Sequence, residues 1–180
     1  MNALEKFFTK KRVIILAVLW IITNVFLNFG PWSISALAEV SGGMGIPDLM
    51  MNYDLDKLRI LFTAYGPKGI AIYKNIQLID FIYPLIYGAL LLGLLVRLKL
   101  KPSFRVLYVT PFLIVILDYA ENLIIRHLIN LYPNLPETQS HLANLANLCT
   151  LQKWSGVGMV IFAIIGFWIW NRFKKEEKLS

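Results

Sequence analysis

The chain has 180 residues, 57% of them hydrophobic and 16% charged, with a net charge of +7. A soluble domain is about half apolar and about a quarter charged, so a mean hydropathy of +0.60 carried by long apolar runs points to an integral membrane protein. The single cysteine, Cys149, excludes an intramolecular disulfide and a multi-cysteine zinc site, and no Gly-rich phosphate loop, HExxH, CxxC, GxSxG or fixed-period repeat is present.

Four runs are long enough to cross about 30 Å of hydrocarbon, which takes about 20 helical residues. They are 13–30 (VIILAVLWIITNVFLNFG), 76–97, 104–125 and 154–171. Backbone groups in lipid must be bonded internally, so each run is read as a helix. The predicted fold is all-α: one domain, a four-transmembrane-helix bundle, with short amphipathic helices in the two outer loops.

Before the first span stand Lys6, Lys10, Lys11 and Arg12. The same residues, followed by an apolar run and Ala36-Leu37-Ala38, also fit a secretory leader, and the two readings compete. Within the span, Asn24 and Asn28 stack one turn apart in its outer half. The first loop, 31–75, contains a stretch in which Asp54 can cap a short helix whose Leu55, Leu58, Leu61, Phe62 and Tyr65 share a face, with Gly66-Pro67 ending it.

In the second span Asp80, Tyr83, Pro84 and Tyr87 follow helical spacing, giving one stripe with a carboxylate and two phenols, bent at Pro84. Arg97, Lys99, Lys101 and Arg105 fill the short connection to the third span. That span carries Asp118, Glu121 and Asn122 on one face; acids one turn apart repel unless a proton, a cation or Arg126 relieves them. The second loop, 126–153, can open a helix near Pro136 that runs unbroken into the fourth span, and the chain closes on Arg172, Lys174, Lys175 and Lys178.

Twelve of the 18 basic residues thus fall on one side of the expected membrane, which orients both termini to the cytoplasm of a multi-pass inner-membrane protein. The basic clusters read as orientation signals and anionic-lipid contacts, not as a nucleic-acid surface. Polar groups from three spans meet in one outer layer. Charged groups cost about 2.5–3.5 kcal/mol each at mid-membrane and are tolerated when they face a bundle interior or cavity.

The layer suggests recognition or modification of a membrane lipid or lipid-soluble small molecule. Asp80, Asp118 and Glu121 are the candidate acid–base groups, and Asn24, Asn28, Tyr83, Tyr87, Asn122 and Arg126 the candidate ligand contacts. No resident cofactor or metal is expected, and a homo-oligomer is compatible with the pattern. Alternatives are a cation- or proton-handling subunit, using the carboxylates as hard ligands, and a non-catalytic assembly factor whose polar groups join helices.

Asp80 with Tyr83-Pro84-Leu85-Ile86-Tyr87-Gly88, Asp118-Tyr119-Ala120-Glu121-Asn122 and Thr150-Leu151-Gln152-Lys153-Trp154 together resemble the pattern of a largely uncharacterised family of small bacterial four-span membrane proteins. This resemblance spans about residues 50–160 and implies a fold but no activity. Asp80, Pro84 and Tyr87 also bear a fainter likeness to EXPERA-domain proteins, the group that includes emopamil-binding sterol isomerase. That likeness implies sterol-like or amine ligands held against membrane carboxylates. The histidine of an EXPERA span has no counterpart here, His127 and His141 being expected in the outer loop.

Overall fold

The computed structural model describes residues 3–176, with side chains through Trp170; Glu177 and Lys178 of the terminal charged cluster lie outside the described residues. Every regular element among them is helical: α1 (Ala3–Phe7), α2 (Lys10–Asn28), α3 (Ile34–Val40), α4 (Leu55–Asp80), α5 (Tyr83–Arg97), α6 (Thr110–Leu131) and α7 (Ser140–Glu176). Four stretches are long and apolar enough to cross a membrane: Lys10–Asn28, Leu55–Arg97, Pro102–Leu131 and Glu137–Trp170.

The helix starts follow local chemistry. Thr9 Oγ1 accepts from the Arg12 amide at 3.3 Å, Ser33 Oγ from the Ala36 amide at 3.2 Å, and Asp54 Oδ1 from the Lys57 amide at 2.9 Å. Each side chain thereby satisfies an N–H that has no partner inside its helix. The Ala36-Leu37-Ala38 run forms the middle of α3, with Leu37 fully buried.

The second crossing differs from the expected 76–97 helix bent at Pro84. Its helix begins at Leu55 and breaks at Gly66, where φ is 57° and ψ −175°. Pro67 restarts it at a position that needs no N–H. A second break falls at Phe81-Ile82, so Pro84 lies in the first turn of α5 and not in mid-helix. There its missing donor is harmless, and the Tyr119 hydroxyl donates to the Phe81 carbonyl at 2.6 Å across the break.

The third crossing is displaced from the expected 104–125. A 3-10 segment covers Pro102–Tyr108, Pro111 opens α6, and the helix continues to Leu131 because the extended Tyr132 precedes Pro133. His127 is therefore an exposed residue of α6, and His141 lies exposed in the first turn of α7. α7 runs continuously from Ser140 through the fourth apolar stretch, as the sequence suggests.

The first part of α4 packs into the bundle. Leu58, Leu61, Phe62 and Tyr65 are buried with Tyr53, Tyr73, Ile125 and Leu128 in the main apolar cluster, so this segment lids the bundle. α2, by contrast, buries only Val13 and Leu27 and presents most of its surface outward.

Candidate functional site

α6 and α7 pack through a heptad-like seam. In α6, Pro111, Ile114, Asp118, Glu121, Ile125 and Leu128 are all buried and recur at alternating steps of three and four. In α7, Ala143, Ala146, Thr150, Lys153 and Val160 are buried at the same spacing. Knob positions of this kind are normally apolar. Here one level is polar: Asp118 and Glu121 face Thr150 and Lys153, between the Ile125–Ala146 levels on one side and Ile114 against Gly156 on the other.

Lys153 is the centre of this level. Its Nζ lies 2.7 Å from Glu121 Oε2, 2.9 Å from Asp48 Oδ1 and 3.3 Å from Asp118 Oδ1. Relative exposures of 0% for Glu121, 3% for Asp118 and 4% for Lys153 close the group to solvent. Asp48 comes from the loop between α3 and α4, within the 3-10 turn Pro47–Leu49.

The carboxylates have further partners. Tyr87 donates to Asp118 Oδ2 at 2.5 Å and Asn122 Nδ2 to Asp118 Oδ1 at 3.1 Å. The Thr150 hydroxyl donates to Glu121 Oε1 at 2.5 Å, and the Tyr53 hydroxyl lies 3.3 Å from the same oxygen. Burial, and then the Glu121 charge, push the Tyr53 phenol above its ordinary pKa, which keeps it a proton donor.

The loop that brings Asp48 is pinned twice more. Trp154 Nε1 donates to the Asp48 carbonyl at 2.8 Å, and the Tyr53 amide donates to Asn147 Oδ1 at 3.1 Å. Upstream, Gly42 and Gly43 take φ of 69° and 90°, conformations that favour glycine. The loop is thus a cover seated on the α6–α7 level.

The structure divides the sequence-predicted residues between this level and its surroundings. Asp118, Glu121, Asn122 and Tyr87 belong to it. Asp80, at the end of α4, is half-buried beside Asn122, within electrostatic reach of Asp48 and Asp118. Lys153 is within the same reach, but no cation lies within ion-pair distance of Asp80 among the described residues. Asn122 Oδ1 is buried without a hydrogen-bond partner among the described residues.

Tyr83 stands one ring further out, its centroid 5.1 Å from that of Tyr87. Its hydroxyl oxygen accepts from Trp20 Nε1 at 3.0 Å and from Asn24 Nδ2 at 3.3 Å, joining α5 to α2. Asn28 donates to the Asn24 carbonyl at 2.9 Å and does not reach the carboxylates.

Arg126 does not relieve the acid pair. Its guanidinium donates to the Lys74 carbonyl at 3.1 Å and to Gln77 Oε1 at 3.2 Å, tying α6 to α4. Lys153 takes the role expected of it.

Asp48, Asp118 and Glu121 each offer an oxygen within 4.8 Å of the others, a spacing that suits a cation. The Lys153 ammonium sits among those oxygens, so it stands where such an ion would bind.

Beside Asp80 and Tyr83 lies an apolar groove of about 370 Å³ formed by Ile22, Thr23, Phe26, Ile79 and Ile82. The carboxylates themselves are under the loop.

No known protein family, curated protein or solved structure matches the chain. Fold and site define an all-α bundle with four helices able to span a membrane and, among the described residues, a buried lysine–carboxylate level in the α6–α7 seam.

Proposed function

We propose that the protein binds a lipid or other amphipathic small molecule at the outer end of the bundle. The apolar part of the ligand occupies the groove between Ile22, Phe26, Ile79 and Ile82. Its polar head reaches Asp80 and, when the 41–54 loop lifts, the Lys153 level. Asp118, Glu121 and Lys153 then serve as proton donors and acceptors to that head group, oriented by Tyr87 and Thr150.

One observation carries this reading: a single ammonium is shared by three carboxylates, with Asp80 adjacent as a fourth acid lacking an ion-pair partner. The acids outnumber the base, and an uncompensated buried charge is strongly unfavourable. A cationic or proton-donating head group complements that imbalance. A bare-cation role has less support, because Lys153 already fills the space among the carboxylate oxygens.

The test is mass spectrometry of amphiphiles that co-purify with the full chain, compared with Asp80→Asn, Asp118→Asn and Glu121→Gln. The reading expects one amphiphile enriched over bulk membrane in the parent and reduced at least tenfold in the variants. A profile equal to bulk membrane in every sample would overturn it.

A second reading is favoured by the seam itself. A polar level inside an apolar heptad pattern fixes helix register at some expense of stability, which suits an assembly protein with no small-molecule ligand. Replacing the level by Asp118→Leu, Glu121→Met and Lys153→Met together distinguishes the two. A register device loses pairing specificity and leaves co-purified lipid unchanged, whereas a ligand site loses its amphiphile.

A further inference from the structure

The opposite end of the bundle carries a second cavity, far from the Lys153 level and independent of the reading above. It has a volume of about 570 Å³, between the α5–α6 connection and the last turns of α7. That is within the range of about 300–1,000 Å³ usual for small-molecule sites.

Its walls are of two kinds. Phe104 and Phe167 meet edge to face, with centroids 5.0 Å apart, and Trp170 flanks them. Gly166 leaves space on the α7 side, where an added Cβ would meet nothing within 4 Å. At the rim are Lys99 and Lys101, both exposed. Lys99 adopts a φ of 52°, unusual for a residue with a side chain, as the chain turns out of α5.

The charge along the α5–α6 connection is of one sign. Arg97 and Arg105 flank the two lysines, and no aspartate or glutamate occurs between Asp80 and Asp118. Lys153 and Trp170 are separated by roughly 26 Å of helical rise. The cavity therefore lies where hydrocarbon gives way to head groups, the depth at which tryptophan and lysine commonly anchor.

We propose that this crevice binds an anionic phospholipid, its phosphate against Lys99 and Lys101 and one acyl chain along Phe104, Gly166 and Trp170. The aromatic and glycine surface takes the chain, and charge complementarity at the rim selects the head group.

The test uses Trp170 as a reporter. The full chain is reconstituted in phosphatidylcholine bilayers containing either brominated phosphatidylglycerol or brominated phosphatidylcholine at equal mole fraction. Quenching of Trp170 is read as the difference between the parent and Trp170→Phe. The expected result is several-fold stronger quenching by the anionic lipid. The preference should fall when either lysine is removed in Lys99→Gln or Lys101→Gln and be lost when both are, and it should vanish in Gly166→Phe, which fills the crevice and keeps the charge. Equal quenching by the two lipids in the parent, or an unchanged preference in the double lysine variant, would overturn the proposal. The lysines are exposed, so that double variant tests the site without disturbing the packed seam.

Discussion

Lys153 Nζ, carried by α7, lies 2.7 Å from Glu121 Oε2 on α6, and both side chains are withdrawn from solvent. Removing one partner from such a group leaves buried charge without compensation. Lys153→Met should destabilise the folded chain by about 3–5 kcal/mol. Lys153→Met combined with Glu121→Gln should be milder than the lysine change alone, because one orphaned carboxylate has gone. Unfolding in detergent micelles measures both, and equal stability of parent and Lys153→Met would remove the ion cluster from the account.

The cover formed by the loop between α3 and α4 rests on Asp48. Asp48→Asn weakens its attraction to Lys153, so backbone amides of residues 44–54 should exchange faster with solvent, by about tenfold or more. The amides of α2 should be unaffected. Hydrogen–deuterium exchange read by mass spectrometry reports this, and uniform exchange across parent and variant would mean that the loop is held by its other contacts.

The break in α4 depends on Gly66, whose φ of 57° and ψ of −175° lie in a region almost confined to glycine. Nothing lies within 4 Å of the Cβ that alanine would add. Gly66→Ala should therefore cost about 1–3 kcal/mol through backbone strain alone. Gly158→Ala, on a regular helix with equally open surroundings, should be neutral or mildly stabilising. Thermal unfolding of the two variants makes the comparison.

Close approach of α5 and α6 seats Tyr87 on Asp118. A Cβ at Gly88 would overlap Val115 Cγ2, so Gly88→Ala must push the helices apart and loosen the 2.5 Å Tyr87–Asp118 hydrogen bond. An expected loss of about 1–3 kcal/mol should be partly restored by Val115→Ala in the same chain. Failure of the second change to restore any stability would place the strain elsewhere.

Much of the architecture is legible in the sequence because its signals are local or periodic. The apolar runs mark four helices able to cross a membrane and Asp54 announces the start of α4, whereas Gly66-Pro67 reads as a stop and is only a break, because Pro67 restarts the helix where no N–H is needed. The shared face of Asp118, Glu121 and Asn122 follows from helical spacing. Pro84 misleads because proline serves equally as a mid-helix kink and a first-turn residue, and only the Phe81-Ile82 break distinguishes them.

The centre of the site is harder to read. Arg126 is close to Glu121 in sequence and looks like its natural partner, whereas Lys153 belongs to another helix. A lysine at the outer edge of a span is easily taken for an interfacial anchor. Its signal is the α7 stripe Ala143, Ala146, Thr150, Lys153, Val157, Val160, where two polar residues interrupt a small and apolar seam. Asp48 has no comparable signal. It lies in an irregular loop, and its position depends on Trp154 and Asn147, which are distant in sequence.

The most direct test of the shared ammonium is dipolar recoupling between lysine ¹⁵Nζ and side-chain ¹³C carboxyls of the full chain in lipid bilayers. Lys153 is assigned by its loss in Lys153→Met. Couplings to one glutamate and two aspartates, matching N···O contacts of 2.7–3.3 Å, are expected. A Lys153 nitrogen with no carboxyl coupling, exchanging freely with water, would contradict the account.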